Sequence, residues 1–168
     1  MRNRPTFAAE RLLWEQGVGV VAGVDEVGRG PLAGPVAAGA VVLPQGARFR
    51  WLSRVRDSKQ LMPDVREELA GRIWEGAVAA AVAFIPVEAV DRIGIAEASR
   101  QAMLAAVGDL RTRPQHLLID AFQLRACNLG QTPIIRGDAT SLSIACASII
   151  AKVARDRFMD VQEILYPG

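Results

Sequence analysis

The stretch from residue 18 to residue 44 constrains this chain more than any other. Two short runs of β-branched and small apolar residues, 18–24 and 36–43, bracket a segment with glycines at 28, 30 and 34. Length, β-branching and flanking Gly or Pro predict two buried strands. Too few residues separate them for a parallel crossover, so the pair is expected to be antiparallel. At the end of the first run stand two adjacent carboxylates, Asp25 and Glu26. Burying such charges costs several kcal/mol, and adjacency of like charges adds to it. A divalent cation would offset both. The following Gly28-Arg29-Gly30 lets a backbone approach a ligand closely and offers a guanidinium to a phosphate.

The remainder alternates helical and strand patterns. Helices are predicted over 7–16, 63–75, 95–110 and 141–165, with a turn or short helix within 86–94. Strands are predicted over 77–85, 116–119 and 133–135. Five strands interleaved with helices give an α/β class with a mixed sheet. The chain of 168 residues is 51% hydrophobic, enough for one domain with a real core. A net charge of +2 permits a nucleic-acid partner without arguing for one. Two cysteines, Cys127 and Cys146, without a CxxC, and a lone His116 give no support to a zinc framework or a disulfide scaffold. They are expected to be structural. No apolar run reaches the roughly 20 residues that span a bilayer, and no signal pattern opens the chain, so a soluble cytoplasmic protein is expected.

Four acids fall at strand ends or beside a helix start: Asp25, Glu26, Asp120 after Leu-Leu-Ile, and Asp138 after Ile-Ile-Arg-Gly. Each alone has an ordinary explanation. Asp120 could open a turn, and Asp138 could favour a helix N-terminus. Three apolar-flanked segments delivering carboxylates to one sheet edge point instead to a shared site. Oxygen donors without His or Cys suit Mg²⁺ or Mn²⁺ rather than Zn²⁺.

The run Val24-Asp25-Glu26-Val27-Gly28-Arg29-Gly30-Pro31-Leu32-Ala33-Gly34 closely resembles the N-terminal signature of the ribonuclease HII family. Asp57-Ser58-Lys59-Gln60-Leu61 is similar to that family's Asp-Ser-Lys-Lys-Leu. The segment from Ser141 to Asp156 is similar to its small-residue helix, with Ser148 and Lys152 on one face near the site. The resemblance covers about residues 18–168. It implies a ribonuclease H-like fold, a five-stranded mixed sheet flanked by helices. It implies an endonuclease that hydrolyses the RNA strand of RNA/DNA hybrids and nicks 5′ of ribonucleotides in duplex DNA, leaving a 5′-phosphate and a 3′-hydroxyl. Asp25, Glu26, Asp120 and Asp138 would hold two divalent ions, Mg²⁺ or Mn²⁺. Gly28, Arg29 and Gly30 would read the 2′-hydroxyl, and Lys59 would meet a phosphate. Arg48, Arg50, Arg54 and Arg56 either extend that backbone track or form an ordinary basic loop. A monomer is expected.

Three departures accompany the likeness. Ala121 follows Asp120 where the family usually has Gly, and Arg136 stands where Lys is common. The chain also ends at Tyr166-Pro167-Gly168, before the family's segment carrying a sugar-stacking Tyr and its clamp-binding tail. Residues 1–168 are therefore expected to be one catalytic domain without that segment, with all four acids present and the grip on substrate incomplete. Two rival readings remain at this level. One is a non-catalytic hybrid-binding module. The other is a nucleotide hydrolase using the Gly-x4-Gly spacing of Gly23 to Gly28 as a phosphate loop, although its two acids would repel phosphate.

Overall fold

The computed structural model describes residues 4–30 and 33–168. Pro31 and Leu32 of the signature lie outside the described residues. Five strands form one sheet: β1 (Val21–Val27), β2 (Val36–Val42), β3 (Ala79–Ile85), β4 (His116–Asp120) and β5 (Gly130–Ile134). Their spatial order is β3-β2-β1-β4-β5. β1 pairs antiparallel with β2, as its short connection demands, and β2 pairs antiparallel with β3. β1 and β4, and β4 and β5, run parallel. The expected five-stranded mixed α/β sheet is thus observed. None of the described helices is long and apolar enough to cross a membrane.

Five helices cover the sheet: α1 (Ala8–Glu15), α2 (Pro63–Gly76), α3 (Val87–Ile93), α4 (Ile95–Gly108) and α5 (Leu142–Leu165). One face of the sheet packs on Ala98, Ala102, Met103 and Ala106 of α4. The other packs on α5, backed by Leu69 and Ile73 of α2 and Phe7 before α1. Period-two alternation sends Val24 to the α4 side and Gly23 to the α5 side. Small residues set the spacing there. A Cβ on Gly23 would lie 2.1 Å from the Ser143 carbonyl carbon, and one on Gly39 would lie 2.3 Å from the Ala147 oxygen. β1 and α5 therefore touch backbone to backbone, with no side chain between them.

Strand boundaries shift from the expectation, most at β1 and β5; β3 begins at Ala79 rather than 77, and β2 and β4 each move by one residue. β1 begins at Val21 rather than 18, and it continues through Asp25 and Glu26, which pair with Gly39 and Ala38. The amides of Gly19 and Val20 instead donate to the Gln115 side chain. β5 spans Gly130–Ile134 rather than 133–135, with Ile135 left 83% exposed. Strands buried on both faces read as continuous apolar runs, which do not mark where pairing with the neighbour begins and ends. The phosphate-loop reading falls with this change, because Gly23 to Val27 is sheet and not loop. His116, as expected, is structural: its Nε2 lies 2.8 Å from Thr132 Oγ1 on β5. Cys146 is core and Cys127 half-buried.

Candidate active site

The carboxyl ends of β1 and β4, adjacent and parallel, open into a cleft of about 320 Å³. This is where an open α/β sheet presents its ligands. Asp25, Glu26, Asp120 and Asp138 all line it, with Gly28, Arg29, Gly30 and Lys59 at its walls. The structure therefore brings every site residue expected from the sequence into one place. Arg48, Arg50, Arg54 and Arg56 are not among the cleft's lining residues. Arg54 is taken up by Glu68, with guanidinium nitrogens 2.8 and 2.9 Å from the carboxylate oxygens, and Arg56 donates to the Ser53 and Val55 carbonyls.

β1 carries the first two acids. One carboxylate oxygen from each of Asp25, Glu26 and Asp120 lies within 4.8 Å of the others. Asp138 lines the same cleft outside that tight group, on the 3-10 turn Gly137–Ala139 between β5 and α5. Asp25 is only 4% exposed. Burial first, then the charges of Glu26, Asp120 and Asp138, push its carboxyl well above the ordinary range, opposed by a hydrogen bond from Ser148. Burial also raises Glu26. Asp138 is raised by burial and by the charges of Asp57 and Asp120, with Lys59 acting in the opposite sense. Asp25, Glu26 and Asp138, three acids of one cleft that all hold protons too tightly, mark a site short of positive charge.

The positions of these acids are fixed from behind. Asp25 Oδ1 accepts from the Glu26 amide at 2.8 Å. Ser148, on the sheet-facing side of α5, shares a 3.0 Å hydrogen bond with Ser58. That hydroxyl pair ties the Asp57-Ser58-Lys59 segment to the back of Asp25. Asp57 caps its own turn by accepting from the Lys59 amide, which turns Lys59 toward the cleft. Asp120 Oδ1 accepts from the Gly137 amide at 2.6 Å, so the turn bearing Asp138 is bonded to the acid of β4. Arg155, buried on α5, donates to the carbonyls of Pro35 and Ala33 and so braces the segment after Gly30. Ser58 and Arg155 escape a reading of the sequence because their role depends on burial, which only the packed α5 creates.

The two glycines of the Gly-Arg-Gly loop serve different ends. Gly28 has φ 101°, and a Cβ there would meet the Pro35 oxygen at 2.7 Å. It is required by the fold. Around Gly30, no described residue lies within 4 Å of where a Cβ would stand, so the fold as described does not require glycine there. Between them Arg29 rests 3.8 Å from Glu26 and 4.6 Å from the centre of the Phe122 ring. Ala121, which stands where glycine is usual, adopts φ 60°, and this strains a residue with a Cβ by about 1 kcal/mol. Ala121→Gly is expected to raise stability by about 0.5–1 kcal/mol, read as a higher urea midpoint at unchanged slope.

The donor set fits divalent cations. It consists of hard carboxylate oxygens without thiol or imidazole. One of these oxygens, Glu26 Oε2, is fully buried with no hydrogen-bond partner among the described residues. An orphaned buried carboxylate oxygen is costly unless a cation or a proton meets it.

Comparison with known proteins agrees. The family model described as Ribonuclease HII matches residues 22–165. A ribonuclease HII of Dehalococcoides mccartyi is 49% identical over 164 residues, covering 98% of this chain and 78% of that protein. One from Moorella thermoacetica is 46% identical over 167 residues, covering 99% and 80%. Among solved structures, the ribonuclease H2 of Pyrococcus horikoshii superposes with a TM-score of 0.76 at 29% identity, covering 88% of this chain and 77% of that one. Likeness in sequence and in fold extends over nearly the whole chain, which therefore belongs to the ribonuclease HII family and is a ribonuclease H enzyme.

Proposed function

We propose that the chain is a divalent-cation-dependent endonuclease. It cuts the RNA strand of RNA/DNA hybrids and nicks duplex DNA 5′ of an embedded ribonucleotide, leaving a 5′-phosphate and a 3′-hydroxyl. The observation that carries this reading is the cluster of Asp25, Glu26 and Asp120, together with a buried Glu26 oxygen that has no hydrogen-bond partner among the described residues. Asp25, Glu26, Asp120 and Asp138 would hold Mg²⁺ or Mn²⁺, two ions in the full site, which supply Lewis-acid charge and an activated water at the scissile phosphate.

The chain's own groups do the rest. Asp25 and Asp120 accept from the Glu26 and Gly137 amides, so these oxygens are positioned before charge develops. Lys59 stands at the cleft wall to neutralise a non-bridging phosphate oxygen. At Gly30 the described residues leave room for a sugar to lie against the backbone, whose N–H and C=O groups can test for a 2′-hydroxyl. Arg29, anchored by Phe122, holds that loop at the rim. All described strands belong to one sheet, so residues 1–168 are read as a single catalytic domain.

The test is a DNA duplex carrying one ribonucleotide, incubated with and without Mg²⁺ or Mn²⁺. A metal-dependent nick on the 5′ side of that nucleotide supports the reading, and binding without a nick in either metal refutes it. Gly30→Ala separates recognition from folding. Its melting midpoint should stay at the wild-type value, since the added methyl meets none of the described residues. Its kcat/KM on hybrid should fall by about tenfold, the cost of a methyl that holds the sugar off the backbone and its hydrogen bond.

A further inference from the structure

Glu10, on α1, is 1% exposed and takes no part in the site described above. A carboxylate survives such burial only with strong partners. Its Oε1 accepts three hydrogen bonds: from Ser141 Oγ at 2.7 Å, from the Ser143 amide at 3.0 Å and from Ser143 Oγ at 2.5 Å. Its Oε2 is buried without a hydrogen-bond partner among the described residues. All three donors belong to the N-terminus of α5, whose free amides and dipole favour a negative charge. Ser141 is the N-cap of α5 and accepts from the Ile144 amide at 3.2 Å. A residue 131 positions earlier in the chain therefore completes the cap.

The same few residues carry the fourth acid. The Ser141 amide donates to the Gly137 carbonyl at 2.8 Å, closing the turn that holds Asp138. The Gly137 amide in turn donates to Asp120 Oδ1. Thr6 straddles the junction, donating to Thr140 O and accepting from the Leu142 amide. From Glu10 the path runs through Ser141 to Gly137, and there it divides between Asp120 and Asp138. We infer that Glu10 is a positioning residue: through the Ser141 cap it sets the placement of Asp138 relative to Asp120, and with it the affinity of the cleft for divalent cations. This rests on the metal-dependent reading above. A pocket apart from the cleft would not need a buried acid at this joint, whereas a cation shared between β4 and the turn needs both acids held in register.

The test uses the whole chain and two variants, Glu10→Gln and Ser141→Ala, with Mn²⁺ alone as probe in calorimetry and amide hydrogen exchange on the metal-free protein. Ser141→Ala cuts the link while leaving Glu10 its two Ser143 donors, and should fold. It is expected to bind Mn²⁺ about tenfold more weakly, the scale of losses when groups that orient metal ligands are removed. Exchange at Gly137 should quicken by about tenfold while β2 amides keep their wild-type rates. Glu10→Gln keeps an acceptor for the three donors, so it should stay within about threefold of wild-type Mn²⁺ affinity. Wild-type Mn²⁺ affinity and wild-type Gly137 exchange in Ser141→Ala would overturn the inference, whatever Glu10→Gln does. A wild-type chain that binds no Mn²⁺, yet whose Gly137 exchange responds to Ser141→Ala, would overturn the metal reading and leave only the structural coupling standing.

Discussion

Asp25→Asn is expected to reduce hybrid cleavage by about a thousandfold while making the metal-free protein more stable, by about 1–2 kcal/mol. The two effects have one cause. Asp25 is buried beside Glu26 and Asp120, and burial with like charge raises its carboxyl far above the ordinary value. Asn keeps the Oδ1 acceptor for the Glu26 amide and removes the charge. For a chain of this size the gain should appear as a rise of about 2–6 °C in melting temperature.

The pH dependence follows the same sign. The folded-state values of Asp25, Glu26 and Asp138 are raised, so the native state binds more protons than the unfolded chain above the ordinary values of 3.8 and 4.5. Stability then falls as pH rises from about 4 through the folded-state values. The contribution is fully present below the unfolded values and lost above the folded ones. Metal-free melts should show this decline as pH rises from about 4, and it should be shallower in Asp25→Asn. A wild-type profile that rises through that window would contradict the assignment.

Gly23→Ala is the second large effect, and it acts on folding alone. The new Cβ would stand 2.1 Å from the Ser143 carbonyl carbon and 2.3 Å from the Ile144 nitrogen. Both are backbone atoms at the start of a 24-residue helix, so neither can swing aside. Relief requires α5 to lift from β1, opening the buried layer formed by Ala145, Ala147 and Ile149. A loss of more than about 4 kcal/mol is expected, near the whole stability of many domains. The variant should be insoluble or lack a cooperative melt. A folded Gly23→Ala with a wild-type urea midpoint would show that β1 and α5 are farther apart than described. The contrast with Gly30→Ala, where a methyl has open space, separates glycines that build the sheet from those that serve the cleft.

Much of the site is legible in the sequence because charge is rare beside apolar runs. Asp25, Glu26 and Asp120 announce themselves by following Val-Ala-Gly-Val and Leu-Leu-Ile, and they converge as expected. The antiparallel β1–β2 pair is equally legible, since chain length alone forbids the alternative. Register is not, because Asp25 belongs to the strand only once Gly39 is opposite it. The basic residues at 48, 50, 54 and 56 read equally as a phosphate track or an ordinary basic loop, and the Arg54–Glu68 pairing that takes up one of them is tertiary. Glu10 looks in sequence like any polar position of an amphipathic helix. Its burial exists only because α1 lies across the start of α5. Ser58 and Ser148, 90 residues apart, are likewise joined by packing that no local pattern records.

The account stands on four carboxylates sharing cations in one cleft. Anomalous scattering from crystals soaked in Mn²⁺ tests that directly. It should place Mn²⁺ within coordination distance of Asp25, Glu26 and Asp120, with Asp138 facing the same ion or a second one. Density bound elsewhere on the molecule, with the cleft empty at a concentration that supports cleavage, would contradict it.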